Sequence, residues 1–98
     1  MNTQERLKKK ALEIAALLGN KYHTGRIYLI GSAAAGNIHA HSDIDMVVEN
    51  LPPELYIKAL SEAHDNLPDD MELNLIPFED AFESLKQKTL QKGLLIYG

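Results

Sequence analysis

The chain has 98 residues, of which 45% are hydrophobic and 24% charged, which suits one small globular domain spanning residues 1–98. Its formal net charge of −4 and its pI near 5.5 argue against a protein that grips a nucleic-acid backbone, because phosphate binding needs clustered Lys and Arg. The chain has no cysteine, which excludes disulfides and thiolate zinc sites, and its apolar runs are too short to span a membrane, so we expect a cytoplasmic protein.

The first elements predicted along the chain are a helix and a buried strand. Asn2-x-x-Glu5 resembles a capping box, and apolar residues recur at helical spacing as far as Leu18. Gly19, followed by Asn, is expected to end this helix. Residues 26–30 are mostly β-branched or aromatic and are followed by glycine, so they predict a short strand inside the core.

A short helical turn and a second strand are predicted next. Ser32 could cap a turn formed by the alanines at 33–35, which glycine and asparagine then break. Residues 43–49 alternate between apolar and other side chains, which is the period of a strand. Asp43 and Asp45 therefore share one face of this strand.

The C-terminal half predicts two further helices and one further strand. Residues 52–67 open with two prolines and carry an apolar stripe at helical spacing. Residues 71–76 alternate again, with Glu72 and Asn74 on the polar face. A last helix is expected to start at Pro77. With a short apolar tail after it, the order α-β-α-β-α-β-α predicts an α/β (α+β) fold with a small, mixed, three-stranded sheet.

Two acids on one strand face, preceded by a Gly-Ser turn, indicate a site for a metal ion and a phosphate. Asp43 and Asp45 project to the same side about 7 Å apart along the strand, and their like charges repel unless a cation lies between them. Carboxylate oxygens favour Mg²⁺ or Mn²⁺, which complete their shells with water and substrate phosphate. Gly31 lets a phosphate approach the backbone, and Ser32 begins a turn whose N–H groups attract anions.

Each part of this pattern also has an ordinary structural explanation. A Gly-Ser pair after a strand is most often only a turn, and alternate acids often only face solvent. His39-x-His41-x-Asp43 is similar to the first zinc cluster of metallo-β-lactamase-like hydrolases, but the chain lacks the further ligands that such a site needs. Residues in a loop near a triphosphate are the better interpretation of the two histidines.

Gly31-Ser32, ten intervening residues and Asp43-Ile-Asp45-Met together resemble the signature of the DNA polymerase β-like nucleotidyltransferase superfamily. The small size is similar to that of the minimal nucleotidyltransferases, and the resemblance covers residues 26–97. It implies the nucleotidyltransferase fold and a third acid on the next core strand, where Glu72 stands in place of the usual Asp. Many relatives carry Arg where this chain has Ala33.

The resemblance implies a reaction and a set of site residues. A hydroxyl would attack the α-phosphate of ATP or another nucleoside triphosphate and release pyrophosphate, with Mg²⁺ or Mn²⁺ as the cofactor. Asp43, Asp45 and Glu72 would be the catalytic and metal-binding residues. The nucleotide or its phosphates would be bound by Gly31, Ser32 and Ser42.

The resemblance also implies a partner protein. Minimal nucleotidyltransferases are typically antitoxins encoded with a small helical HEPN-type toxin, to which they can transfer AMP. Because Glu72 and Ala33 depart from the family pattern, a binding module that has lost catalysis and acts by contact is an alternative. A small structural protein whose acids only face water is a third possibility.

Overall fold

A computed structural model describes residues 3–31 and 43–98, which form a mixed sheet with helices on both faces. The helices are α1 (Thr3–Tyr22), α2 (Tyr56–Asp65) and α3 (Glu83–Lys92), and the strands are β1 (Ile27–Ile30), β2 (Asp43–Val48), β3 (Glu72–Pro77) and β4 (Leu94–Tyr97). Single 3-10 turns, Pro53–Leu55 and Phe78–Asp80, precede α2 and follow β3. Within the described ranges, no helix is long and apolar enough to cross a membrane.

The sheet has four strands in the order β3-β2-β1-β4, so the predicted count of three was wrong. Strand β2 runs parallel to β3, whereas β1 is antiparallel to both β2 and β4. The fourth strand is the segment expected to be only an apolar tail. It pairs with β1 through partners such as Tyr28 with Leu95 and Leu29 with Leu94. The predicted mixed α/β class is confirmed.

One face of the sheet packs against α1 and α2 and forms the main core. Ile44, Met46 and Val48 of β2 are completely buried there. Helices α1 and α2 and strands β1 and β3 also contribute side chains to this core. These recur at helical spacing in the helices and at every second residue in the strands, as the sequence predicts. They are Leu7, Ala11, Ile14, Ala15, Leu18, Ile27, Leu29, Ala59, Ala63, Leu73 and Leu75.

The opposite face carries a second, smaller core. Tyr28, Ile30 and Val47 form a second buried cluster, against which Phe78 and Leu85 pack. Helix α3 thus covers the middle of this face, and its Thr89 is fully buried with its hydroxyl donating to the Leu85 carbonyl at 2.8 Å. Asp43 and Asp45 lie on the same face as this cluster, towards the other end of β2.

Helix α1 continues beyond Gly19 to Tyr22, so the predicted stop at Gly19 was wrong. A Cβ added to Gly19 would lie 2.0 Å from the ring of Tyr97. The glycine is therefore needed for close packing of α1 against β4, and the helix can pass through it at a modest cost in propensity. The helix ends instead at Tyr22, and the next residue, His23, has a left-handed φ of 55° and donates its N–H to the Gly19 carbonyl. Asn2 of the predicted cap lies outside the described residues.

The last helix begins at Glu83 and not at Pro77, which is the final residue of β3. The 3-10 turn that follows Pro77 ends in extended backbone at Ala81 and Phe82. Phe78 is held against the sheet in this turn, whereas Phe82 is 85% exposed. The two phenylalanines therefore do not share the helical stripe that the sequence predicts.

Helices α1 and α2 are joined by a polar cluster at the edge of the core. The Tyr22 hydroxyl donates to Glu62 at 2.6 Å, and the Lys21 ammonium contacts both Glu62 oxygens at 2.8 Å. The bonds from Lys21 and Tyr22 lower the pKa of Glu62. Burial, followed by the bond to Glu62, raises the pKa of Tyr22 to about 12.

The substitution Glu62→Gln should lower the unfolding temperature at pH 7. The folded-state pKa of Glu62 lies below its ordinary value of 4.5, so its contribution to stability is fully present above that pH. The contribution is lost as the pH falls through the folded-state pKa, because the unfolded state then binds the proton more tightly. Thermal unfolding at pH 7 and pH 3 should show a difference from wild type that shrinks at pH 3. Glu54→Gln, in an exposed position, is the control, and a Glu62→Gln deficit that stays constant with pH would contradict this explanation.

Candidate functional site

Asp43 and Asp45 lie at the start of β2, and both are half-buried. Ile44 between them is completely buried in the main core. The two carboxylates therefore lie on the face opposite α1 and α2, as the alternation in the sequence predicts. On this face Asp45 is the neighbour of Ile30 on β1, which belongs to the second buried cluster.

Glu72 is the neighbour of Asp43 on the adjacent parallel strand. The register pairs Asp43 with Glu72 and the buried Ile44 with Leu73, so Glu72 lies on the same face as the two aspartates. Neighbouring strands are about 4.8 Å apart, which puts these two acids side by side. The Glu72 side chain is exposed.

The position on β3 beside Asp45 is occupied by Asn74. The two residues are partners in the strand register, and the Asn74 side-chain amide donates to Asp45 Oδ1 at 2.7 Å. Asn74 is not among the site residues that the sequence predicts. The alternation in the sequence predicts the face on which Asn74 lies. It does not predict which residue of β2 lies beside Asn74, because the register joins segments about thirty residues apart and no short segment specifies it.

Gly31 lies close to the other oxygen of Asp45. It directly follows β1 and has a left-handed φ of +76°. A Cβ added to Gly31 would lie 2.6 Å from Asp45 Oδ2. Glycine is thus required here both for the backbone turn and for the approach of the carboxylate.

Several residues that the sequence proposes for this site lie outside the described residues. They fall within 32–42 and comprise Ser32, Ala33, His39, His41 and Ser42. Their roles stay predictions. The described part of the site consists of Gly31, Asp43, Asp45, Glu72 and Asn74.

The donor atoms of the site fit a hard divalent cation. Within residues 3–31 and 43–98, no three His, Asp or Glu side chains are grouped closely enough to hold a metal ion. Asp43 and Asp45 nevertheless supply carboxylate oxygens on one face, and Mg²⁺ and Mn²⁺ commonly take few protein ligands, keep waters and bind substrate phosphate. A zinc site would need three or four ligands, and the described residues contain no such set.

An apolar cleft lies at the other end of the sheet. It has a volume of about 420 Å³ and is lined by residues that follow β2 or end β3. They are Leu51, Pro53, Tyr56, Ile57, Pro77 and Asp80. Neither aspartate of β2 contributes to it, so the cleft and the acidic site are separate features.

A sequence model of the family described as "Polymerase beta, Nucleotidyltransferase" matches residues 12–98. The chain belongs to the polymerase beta nucleotidyltransferase family. The resemblance noted at the glycine-serine turn and the paired aspartates is thereby confirmed. No curated protein sequence matches the chain significantly.

Solved structures similar to this nucleotidyltransferase come from toxin–antitoxin systems and from an archaeon. A chain of a toxin–antitoxin complex crystallised with AMP-PNP is 26% identical, with a TM-score of 0.69, and the match covers 93% of this chain and 73% of that one. A mutant of the toxin–antitoxin complex MntA-HpeT gives 23% identity, a TM-score of 0.70 and the same coverage. A proposed nucleotidyltransferase from Sulfolobus solfataricus gives 19% identity and a TM-score of 0.57, with coverage of 95% and 81%.

These neighbours support both the fold and the antitoxin type. The structures under 25% identity support the fold of the nucleotidyltransferase. The complex with AMP-PNP, together with the family match, supports the resemblance to the antitoxin type of minimal nucleotidyltransferase.

The substitution Gly31→Ala should destabilise the nucleotidyltransferase and displace the Asp45 carboxylate. The left-handed backbone costs a non-glycine residue about 1–2 kcal/mol, and the new methyl group would overlap Asp45 Oδ2. Urea unfolding would measure the loss of stability. Gly25→Ala is the control, because Gly25 is not left-handed and its tightest neighbour is the flexible end of Asn50. An equal or smaller loss in Gly31→Ala than in Gly25→Ala would disprove the steric argument.

Proposed function

We propose that this protein is a magnesium-dependent nucleotidyltransferase that transfers AMP from ATP to a hydroxyl group on a partner protein. The partner would be a small helical toxin of the HEPN type, and the nucleotidyltransferase its antitoxin. The observation that carries the proposal is the pair Asp43 and Asp45 on one face of β2, with Asp45 next to the left-handed turn at Gly31.

The position of the two aspartates supports a role in binding a nucleotide–metal complex. Both are half-buried on the sheet face opposite α1 and α2, where part of each side chain stays accessible to a ligand. When bound, Mg²⁺ or Mn²⁺ would neutralise charge on the triphosphate and on the leaving pyrophosphate. Asp43 and Asp45 would hold the ion, and Glu72, beside Asp43 on β3, would join them as a ligand only after its side chain moved.

The turn after β1 is the proposed phosphate site. Gly31 has no side chain, so the β- and γ-phosphates could approach the backbone there. Ser32 and Ser42 would donate hydroxyl hydrogen bonds to phosphate oxygens or to the nucleotide. Positioning of the triphosphate against the acceptor would then supply much of the rate enhancement.

The proposed reaction makes one bond and breaks one bond at the α-phosphorus. The acceptor hydroxyl oxygen attacks this atom, the bond to the bridging oxygen of the β-phosphate breaks, and pyrophosphate leaves. Glu72 would accept the hydroxyl proton, for which its exposed carboxylate beside Asp43 suits it. The products are an AMP ester of the acceptor and pyrophosphate.

The choice of nucleotide and partner draws on the structural neighbours. A chain 26% identical to this one belongs to a toxin–antitoxin complex crystallised with an ATP analogue. In the proposal, the partner protein presents the acceptor hydroxyl. The cytoplasm, which contains ATP and magnesium, is the compartment where this reaction would occur.

A second candidate function is a nucleotide-binding antitoxin that neutralises its partner by contact. Two observations favour it. A neutral amide, Asn74, and not an acid lies directly beside Asp45. In addition, the described residues contain no group of three acids close enough together to form a metal site. Binding without transfer would identify this function.

The substitution Asp45→Asn should remove magnesium-dependent nucleotide binding while leaving the fold intact. We expect isothermal titration of wild type with ATP to show tighter binding with Mg²⁺ than with EDTA. In Asp45→Asn the increase in ATP affinity caused by Mg²⁺ should fall by about tenfold or more. Loss of a metal ligand should cost at least as much affinity as loss of a group that only hydrogen-bonds to a ligand. Release of pyrophosphate, measured with the toxin partner present, separates the enzyme from the binding module.

Asp80→Asn provides the matched control, because Asp80 lines the cleft at the opposite end of β3. It should bind ATP and magnesium as wild type does. Equal ATP affinity with and without Mg²⁺ in wild type, or unchanged affinity in Asp45→Asn, would rule out the proposed site.

A further inference from the structure

Asn74 makes a specific contact that the fold does not require. Its side chain is exposed, and the neighbouring Leu73 and Leu75 supply the burial that β3 needs. The amide could have faced water, but it donates to Asp45 Oδ1 at 2.7 Å. A hydrogen bond to an ionised carboxylate is stronger than one between neutral groups, so this contact holds the orientation of Asp45.

Asp45 has one register partner on each neighbouring strand, and the polar one is Asn74. On the β1 side, the register partner of Asp45 is Ile30, a buried apolar residue. On the β3 side the partner is Asn74. Asp45 Oδ2 faces the turn at Gly31, where an added Cβ would lie 2.6 Å away. One carboxylate oxygen is thus bound to an amide, and the other is directed to the proposed phosphate site.

We infer that Asn74 is a positioning residue that fixes Asp45 so that its Oδ2 is directed to the ion and phosphate site at Gly31. The inference rests on the proposed function, because it assigns a use to Oδ2 of Asp45. Asn74 itself contacts neither the ion nor the nucleotide. Its effect passes through Asp45.

The two acid positions of β2 therefore differ in character. Asp43 has another acid, Glu72, as its partner on β3, whereas Asp45 has a neutral donor. An acid at position 74 would add a negative charge next to Asp45, which repels it unless a cation is bound. Alanine would leave Oδ1 without its partner and Asp45 free to rotate.

Binding of Mn²⁺ in the absence of nucleotide, followed by electron paramagnetic resonance, tests this inference. We expect Asn74→Ala to bind Mn²⁺ about tenfold more weakly than wild type, the usual effect of removing a group that orients a metal ligand. Asn66→Ala is the control, because the Asn66 amide also donates one hydrogen bond, to the Glu62 carbonyl at the end of α2. It should alter stability without altering Mn²⁺ affinity. Equal Mn²⁺ affinity in Asn74→Ala and wild type would overturn the inference.

Asn74→Asp gives a second, independent readout through the rise in unfolding temperature caused by Mn²⁺. The added carboxylate should repel Asp45 in the free protein, and a bound cation should relieve this repulsion. The rise in unfolding temperature on adding Mn²⁺ should therefore be larger in Asn74→Asp than in Asn74→Ala. An equal or smaller rise would overturn the inference. If wild type binds Mn²⁺ but neither Asn74 variant differs from it, only the positioning role fails. If wild type binds no Mn²⁺, the inference and the metal site of the proposed function both fail.

Discussion

Ile44, Met46 and Val48 are completely buried between the sheet and helices α1 and α2, and this burial fixes the side of the sheet on which Asp43 and Asp45 lie. A shift of β2 by one residue would expose three apolar side chains and bury both aspartates, each of which is costly. The burial of each apolar side chain contributes about 1.5–3 kcal/mol. The orientation of the acids is therefore set by the stability of the core.

The face that carries the two aspartates also carries the second buried cluster. Tyr28, Ile30 and Val47 need an apolar neighbour, and Leu85 of α3 provides it. Asp45 lies beside Ile30 of this cluster, and both aspartates are half-buried at the start of β2. A half-buried pair of like charges favours a cation, and in the proposed function the left-handed Gly31 would give a phosphate access to the same place. Stability and the proposed binding function thus use alternate residues of one strand.

The sequence predicted those features that depend on local periodicity. Strands β1, β2 and β3 were found by composition and alternation, and the alternation of β2 put both aspartates on one face. The fourth strand was missed because Leu94 to Tyr97 are all apolar and carry no alternation, so only their pairing with β1 makes them a strand.

The remaining errors came from contacts between distant parts of the chain. Gly19 was interpreted as a helix stop, but its role depends on Tyr97, which lies far away in the sequence. The parity of Asn74 was predicted, yet its contact with Asp45 depends on the register of β2 and β3, which no short segment specifies. Family resemblance drew attention to Glu72 as the acid on that strand, whereas the structure puts Glu72 beside Asp43 and an amide beside Asp45.

The central claim is that one divalent cation is held by Asp43 and Asp45 next to a nucleotide at Gly31. Anomalous diffraction from crystals grown with Mn²⁺ and a non-hydrolysable ATP analogue tests it most directly. We predict a manganese peak about 2.1 Å from a carboxylate oxygen of each aspartate, with the triphosphate at the turn after β1. A nucleotide in the cleft beside Tyr56 and Pro77, or manganese bound away from both aspartates, would contradict the claim.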